Sequence, residues 1–595
     1  MHPQPARPAW RSPAYLLGLA AVAAARLLTL PASLWEWDEI LFVKGIEDYD
    51  PVHHQPHPPG YPLLIGLGKA FNLFLNDPFH AMVALSVVSS LIGYVALAAA
   101  FQRMAGEGPA AERIAVAGSV LFHLSPTLLV YGPLALSDSP ALMFLSLALA
   151  AAARLPEGTT AAALALGAAA AAAVGSRPQL CIAVLPLLAV ALAFARGWRP
   201  RFLALAAFTL VSLTWFIPLV VAVGGLGELL PFLGKQADLV VRYDKELPRS
   251  GNPPGWVATR FLAHPWGTRL TSLPVLGLAA VGFAWLVKGR RWRALPLLVL
   301  SGIDLALGLA IMNPHDAVRY ALPSLMAVSF AAAVGGDALA RLVRLPAAAY
   351  AMVALLVAGF VIYTRPLLEA RATTPSPPMQ AALWAERHAR YDAIFLVEDH
   401  LAAHASYLFE KFQRVPIGPG LERYAGEQVA PVYLLGDGES GWPGAVTFQW
   451  PESDAYGKLS RGLYRVTSIS PLLPGRRYQV VRGVYAYEPT AREAGWRWMD
   501  DDAAIRLFPG GAARAELTLR LHPEVPWPAN RVTVLVAGAP TATLEIPRGE
   551  ERRVGVPLPA ASRGAVEIAF RSDRAFVPTD RRRLAVQLVN VERKP

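Results

Sequence analysis

Two hydrophobic patterns divide the chain. Up to about residue 365, long apolar stretches alternate with short polar connections. Candidate spans fall near 15–34, 79–101, 114–131, 140–153, 160–175, 180–195, 202–223, 268–287, 295–312, 320–340 and 346–363. Most approach the roughly 20 apolar residues that a helix needs to cross a hydrocarbon core, while several, 140–153 the shortest among them, are short. Segment Tyr61–Leu75 is apolar but carries Lys69 and Asn72, so it is expected to lie along the interface. The pattern changes after TTPSPP at Thr373–Pro378. Ala393–Glu398 and Val432–Asp437 read as buried strands with helical sequence between them, a small α/β layer. From about Trp496 apolar residues alternate with polar ones. Leu517, Leu519 and Leu521 make one such face; Val532, Val534 and Val536 another; Val566, Ile568 and Phe570, then Leu584, Val586 and Leu588, repeat it. Turn residues separate the runs, which predicts a β-sandwich of the jelly-roll type. The expected fold is a polytopic α-helical membrane domain over residues 1–365 with about eleven transmembrane helices. An α/β domain over 380–490 and a β-sandwich over 491–595 follow.

Composition agrees. Of 595 residues, 54% are hydrophobic and only 17% charged, against about 25% charged in soluble domains. The net charge of +11 could suggest nucleic acid, but its distribution argues against that partner. One set of connections holds Arg7 and Arg11; Arg103 and Arg113; Arg154; Arg196, Arg199 and Arg201; Lys288, Arg290, Arg291 and Arg293; Arg341 and Arg344. The alternate set holds Asp38, Glu39, Asp138 and Asp316, with Arg177, Arg319 and the long mixed loop 225–266, which includes Lys235, Arg242, Asp244, Lys245 and Arg260. Basic connections face the cytoplasm. The N-terminus is therefore expected inside and the C-terminal domain outside, with the bacterial inner membrane as the setting. A cleaved signal peptide is the weaker reading of the first span, because the acidic motif follows at once. The lone Cys181 cannot form an internal disulfide and reads as a buried small hydrophobe.

Candidate chemistry gathers in the extracytoplasmic loops. WEWDEILF places Asp38 and Glu39 just after the first span, and HPPGYP follows at His57–Pro62. Carboxylates at a membrane boundary are costly unless they act. Glu39 could instead cap or solvate a surface helix. GPLALSDSP carries Asp138, either a helix N-cap or a site residue. SRPQ carries Arg177, which could bind phosphate, snorkel, or pair with Asp138. NPHDAVRYALP carries His315, Asp316, Arg319 and Tyr320; Arg319 could bind phosphate or pair with Asp316. His53, His54 and His57 have a spacing that is poor evidence for a metal, while His57 could contact acceptor or phosphate. Asp304 lies within a span and is expected to turn inward. Transfer of a sugar from a polyprenyl phosphate suits this set. The leaving group needs positive charge, which arginine's planar fork supplies. The acceptor hydroxyl needs a base, which a carboxylate supplies.

The order of these motifs resembles the GT-C superfamily of polyprenyl-phosphate-sugar glycosyltransferases, nearest to the protein O-mannosyltransferase and aminoarabinose-transferase-like families. The WDE pair, HPPGYP, SDSP and RYALP carry the resemblance, which covers roughly residues 10–365. It implies that Asp38 is a base or metal-proximal carboxylate, with Glu39 beside it, and that Arg319 contacts the lipid phosphate. It also implies membrane lipid and a polyprenyl-phosphate sugar donor as partners, and a protein, lipid or glycan acceptor. A divalent metal stays an open option. The HHQPH run does not map onto the family's motifs, and its role stays open. The rival function is a transporter or flippase of lipid-linked sugars, which would place polar groups near the bilayer midplane. A membrane-anchored receptor is a third. Trp496, Trp498 and Trp527 could stack on sugar rings or pack in the core. Asp580 and Arg581–Arg583 read as a surface turn.

Overall fold

The computed structural model describes residues 12–239, 241, 252–289, 292–424, 430–442, 444–472, 478–488, 496–509, 511–559, 565–578 and 582–594. Arg7, Arg11, Arg242, Asp244, Lys245, Arg290, Arg291, Asp580 and Arg581 lie outside them. Contacts divide the chain into two units. The first is Met1–Pro375 with Pro451–Gly462; the second is Ser376–Trp450 with Leu463–Pro595.

The first unit is helical. Among the described residues, seven helices are long and apolar enough to cross a membrane: Pro78–Ala105, Asp138–Glu157, Trp198–Val223, Arg269–Lys288, Trp292–Ala310, Leu322–Leu342 and Ala348–His388. Shorter apolar helices cover Pro13–Leu28, Pro62–Leu75, Thr160–Ser176 and Pro178–Ala193. The chain is an integral membrane protein. Local signals start these helices. Proline stands in the first turn at Pro13, Pro62, Pro78 and Pro109, where its missing N–H costs nothing. Ser12, Asp77 and Thr159 accept backbone N–H groups as caps. The span expected at 114–131 is two helices, Pro109–His123 and Pro126–Tyr131. The break precedes Pro126, which disfavours helical backbone in the residue before it.

Small residues let the helices approach closely. A Cβ on Gly167 would lie 1.9 Å from the Ala204 carbonyl oxygen, and one on Gly282 would lie 1.8 Å from that of Ala331. At the predicted cytoplasmic end, buried Asp337 takes Arg113 at 2.7 Å and Arg341 at 2.8 Å. Helix Trp198–Val223 turns Leu210, Ile217 and Val221 outward, as a lipid-facing wall requires. Cys181 is half-buried rather than buried.

The second unit holds two sheets. In the five-stranded one, Ile394–Val397 pairs in parallel with Gln413–Pro416 and Val432–Asp437. Val466–Pro471 joins antiparallel and bridges to Val446–Gln449. The eight-stranded sheet is antiparallel and begins with Tyr478–Glu488, ahead of the boundary expected at 490. Its strand Trp496–Leu507 changes partners midway. Arg497–Met499 pair with Val586–Leu588, while Asp502–Leu507 pair with Val566–Arg571. That switch splits the sheet into two halves that fold over one core. The alternating residues from Leu517 to Leu588 fill the core together with Trp498, and Trp496 and Trp527 pack against it.

Candidate active site

Helix Trp37–Glu47 replaces what the polar sequence suggested was an open loop, and most of it is buried. Successive residues on a helix diverge by about 100°, so Asp38 and Glu39 face different ways. Glu39 is fully buried. Its Oε2 accepts N–H groups from Trp35 at 3.0 Å and Glu36 at 2.9 Å; its Oε1 accepts that of Ala135 at 2.9 Å. These bonds tie the helix start to the loop before Asp138. The expectation of Glu39 working beside Asp38 thus meets a carboxylate already filled by backbone donors.

Asp38 meets the other expected residues. Arg319 Nη1 donates to Asp38 Oδ2 at 3.1 Å, and Arg319 Nη2 donates to Asp138 Oδ2 at 3.2 Å. Arg177 holds the remaining Asp138 oxygen. One arginine therefore bridges two carboxylates that lie 100 residues apart in sequence. Asp138 opens its helix, with Ser137 as N-cap residue, where the helix dipole favours negative charge. Its side chain has no exposure, whereas that of Asp38 is 30% exposed. Of these two, Asp38 alone offers a carboxylate to an incoming molecule.

The loop carrying Arg319 is fixed from below. Asn313 caps the turn Pro314–Asp316 by accepting the His315 N–H at 3.0 Å. Arg260 donates to the carbonyls of Pro314 at 2.9 Å and His315 at 2.7 Å. Arg319 lies over the Tyr131 ring at 5.5 Å, and its Nε is buried without a hydrogen-bond partner among the described residues. Asp316, the alternative partner considered for Arg319, instead pairs with Arg461.

HPPGYP shapes the opposite wall. Gly60 has φ +91°, and a Cβ there would lie 2.8 Å from Leu219. Tyr61 follows at φ +44°, a strained backbone for a bulky residue and of a kind that gathers at functional sites. Tyr61 Oη stands 3.2 Å from His57 Nε2, while His57 Nδ1 stands 3.9 Å from Asp38. His53 turns away to Asp50 at 2.6 Å, so the histidines do not converge. Among the described residues no group of three or more His, Cys, Asp and Glu is placed to hold a metal. Arg319 stands between the two carboxylates and bonds to both.

Electrostatics follow the geometry. Burial raises the Asp38 carboxyl, but His57, Arg319 and Arg461 outweigh it and hold it at about 2. His57 is itself pulled below its ordinary value, chiefly by burial and against the attraction of Asp38. It is neutral at pH 7, so the arginines hold Asp38 ionised. Glu36, buried near the same arginines, is pushed up to about 8 by burial.

An apolar slot opens beside the cluster. Arg177, Asp138 and Arg319 stand in its wall with Tyr320, and Leu142, Leu145, Leu180, Ala183 and Leu307 line it. Asp304 also faces it, turned inward as expected and accepting from Ser324 N at 3.1 Å and Oγ at 2.5 Å.

Solved membrane enzymes resemble this chain in outline. The oligosaccharyltransferase of Archaeoglobus fulgidus in its apo form matches at 13% identity with a TM-score of 0.45, over 71% of this chain and 69% of that one. ArnT from Cupriavidus metallidurans bound to undecaprenyl phosphate matches at 14% and 0.46, over 76% and 97%. Arabinosyltransferase EmbB from Mycobacterium smegmatis matches at 12% and 0.36, over 100% and 66%. No family model and no curated protein matches the sequence. At TM-scores below 0.5 these likenesses carry no argument, and the chain's own residues carry the rest.

Sequence reasoning missed Glu36 and Arg461, and named Arg260 only as one charge of the 225–266 loop. Glu36 stands two residues from Asp38 in the same motif, and its charge beside an apolar span was a usable signal. Arg260 sits in a long mixed loop, and Arg461 lies beyond the predicted domain boundary. No local pattern ties either to the site.

Proposed function

We propose that the protein transfers a sugar from a polyprenyl-phosphate donor to a hydroxyl of a protein, lipid or glycan, at the extracytoplasmic face of the bacterial inner membrane. One observation carries this reading. An accessible carboxylate, Asp38, touches a buried arginine, Arg319, that has an unused donor and stands in the wall of an apolar slot. Leu142, Leu145, Leu180 and Leu307 give the slot the apolar lining that an isoprenoid chain requires. Arg319 and Arg177 suit the phosphate, because arginine pairs two phosphate oxygens in its plane.

In the reaction, Asp38 takes the acceptor hydroxyl proton as the oxygen attacks the anomeric carbon. The bond from that carbon to the phosphate oxygen breaks, and its electron pair leaves with polyprenyl phosphate. Phosphate is already a good leaving group, so no general acid is needed. Asp138 keeps both arginines in place and charged. Glu39 acts as a structural tie for the Asp38 helix. No step calls for a metal. A flippase would instead gather polar groups near the midplane, whereas Asp38, Asp138, Arg177 and Arg319 all sit at helix ends or in loops.

The test is transfer in vitro from a panel of polyprenyl-phosphate sugars by purified protein, with sugar-labelled product as readout. Transfer by wild type and none by Asp38→Asn supports the reading. Lipid-linked sugar crossing vesicles without any transfer overturns it. A reporter fused after residue 365 should read outside, and one within 288–293 inside; the same side for both removes the extracytoplasmic face.

A further inference from the structure

Residues Pro451–Gly462 come late in the chain yet pack with the helices of the first unit. Ser453 caps the short helix Asp454–Leu459 by accepting the Tyr456 N–H at 3.2 Å. Tyr456 is buried against Trp35, ring centroids 5.7 Å apart. Helical-unit side chains then hold the segment's carbonyls. Tyr131 donates to Leu459 at 2.6 Å, Tyr363 to Asp454 at 3.3 Å and Arg260 to Gly457 at 3.4 Å. The result is a fixed position for Arg461.

Nε and Nη2 of Arg461 hold Asp316, three residues before Arg319. Asp316 is 4% exposed in its side chain and Arg461 39%. Nη1 has no partner among the described residues. Asp316 ends the turn Pro314–Asp316 that leads straight into the short helix Ala317–Tyr320 carrying Arg319, so Arg461 borders the site without lining the slot.

We propose that Arg461 is a third phosphate-binding arginine, specific for the phosphate as it leaves. The inference rests on the lipid-phosphate reading above. A sugar-linked phosphodiester has one negative charge and two non-bridging oxygens, which Arg319 and Arg177 match. Breaking the bond to the anomeric carbon leaves a third free oxygen and a second charge. The Nη1 of Arg461 is a ready donor for that oxygen. A contact made only as the bond breaks speeds the step rather than tightening donor binding. Segment Pro451–Gly462 thereby completes a site whose other parts lie within residues 36–319.

The experiment titrates full-length protein in detergent with a sugar-free polyprenyl phosphate, with the matching polyprenol as control. Arg461→Gln should weaken polyprenyl-phosphate binding about tenfold or more, the loss expected for one charge-assisted hydrogen bond. The donor KM should change much less. Arg461→Lys should recover part of the affinity. Asp316→Asn, which frees Arg461 without removing it, should not weaken binding. Unchanged affinity in Arg461→Gln, or equal losses in Arg461→Gln and Asp316→Asn, overturns the proposal and makes the pair a structural tie. If wild type binds polyprenol as well as polyprenyl phosphate, the lipid-phosphate reading itself falls.

Discussion

The two ends of the helical unit use the same ions for different ends. At one, Asp337 takes Arg113 and Arg341, with both its oxygens within 2.8 Å of a guanidinium nitrogen. At the other, Asp138 takes Arg177 and Arg319. Both carboxylates are buried, and both tie separate helices. The difference lies in what is left over. The second cluster adds Asp38 on the same Arg319, keeps it 30% exposed, and leaves Arg319 Nε unmatched beside an apolar slot. Burial and ion pairing alone therefore do not mark a site, since structural pairs share them. What separates the two is the kind of group left accessible: a carboxylate, Asp38, beside a buried arginine with an unmatched donor at one end, and a cation, Arg341, at the other.

The strongest way to break that contrast is Asp38→Asn. The amide keeps the size but cannot take a proton, and losing a general base typically costs about 100- to 10,000-fold in rate. Donor binding should stay near normal. Near-normal turnover by folded Asp38→Asn protein would remove Asp38 from the mechanism, because Asp138 has no exposed oxygen to replace it.

Removing the shared arginine comes next. Arg319→Ala should lower donor affinity about 10- to 100-fold, the effect of one or two charge-assisted hydrogen bonds, and turnover should fall with it. Arg113→Ala at the opposite end should lower the melting temperature instead. A broken buried pair costs up to about 3–5 kcal/mol, and here Arg341 remains as a partner, so the low end is expected. Turnover per folded molecule should not change. A kinetic defect in Arg113→Ala with normal stability would mean that the two ends are coupled and the contrast is false.

These residues also show what the sequence made legible. Helices were visible because crossing a bilayer demands length and apolarity, and the charge alternation put Asp38, Asp138, Arg177 and Arg319 on one face. The alternating runs from Leu517 to Leu588 disclosed the core of the last sheet for the same reason: one face of each strand must be dry. Direction was not legible. Asp38 and Glu39 look equivalent in a string, and only the helix that carries them sends one to the site and the other to backbone N–H groups. Long-range delivery was invisible too, since Arg461 reaches Asp316 across 145 positions. Nothing local marks such a return.

The smallest expected effect concerns pH, and it divides Glu36 from Asp38. Both are carboxylates near Arg319 and Arg461, yet burial wins at Glu36 and the cations win at Asp38. Glu36 sits at about 8 when folded, against about 4.3 when unfolded. The folded state then binds the proton more tightly, so this group's stabilising contribution is fully present below about pH 4 and is lost as pH rises toward 8. Asp38 sits at about 2, below its unfolded value of about 3.9. Its contribution is present above about pH 4 and is lost as pH falls toward 2. Of these two carboxylates only Glu36 changes between pH 5 and 8, where Glu398 at about 7 and Asp437 at about 6 add to the slope. Melting curves in detergent across that range should show wild type losing stability as pH rises. Glu36→Gln, which cannot ionise, should flatten that part of the slope, and Asp38→Asn should leave it in place. If Glu36→Gln keeps the full wild-type slope, Glu36 is not the group that titrates, and burial does not prevail over the two arginines there.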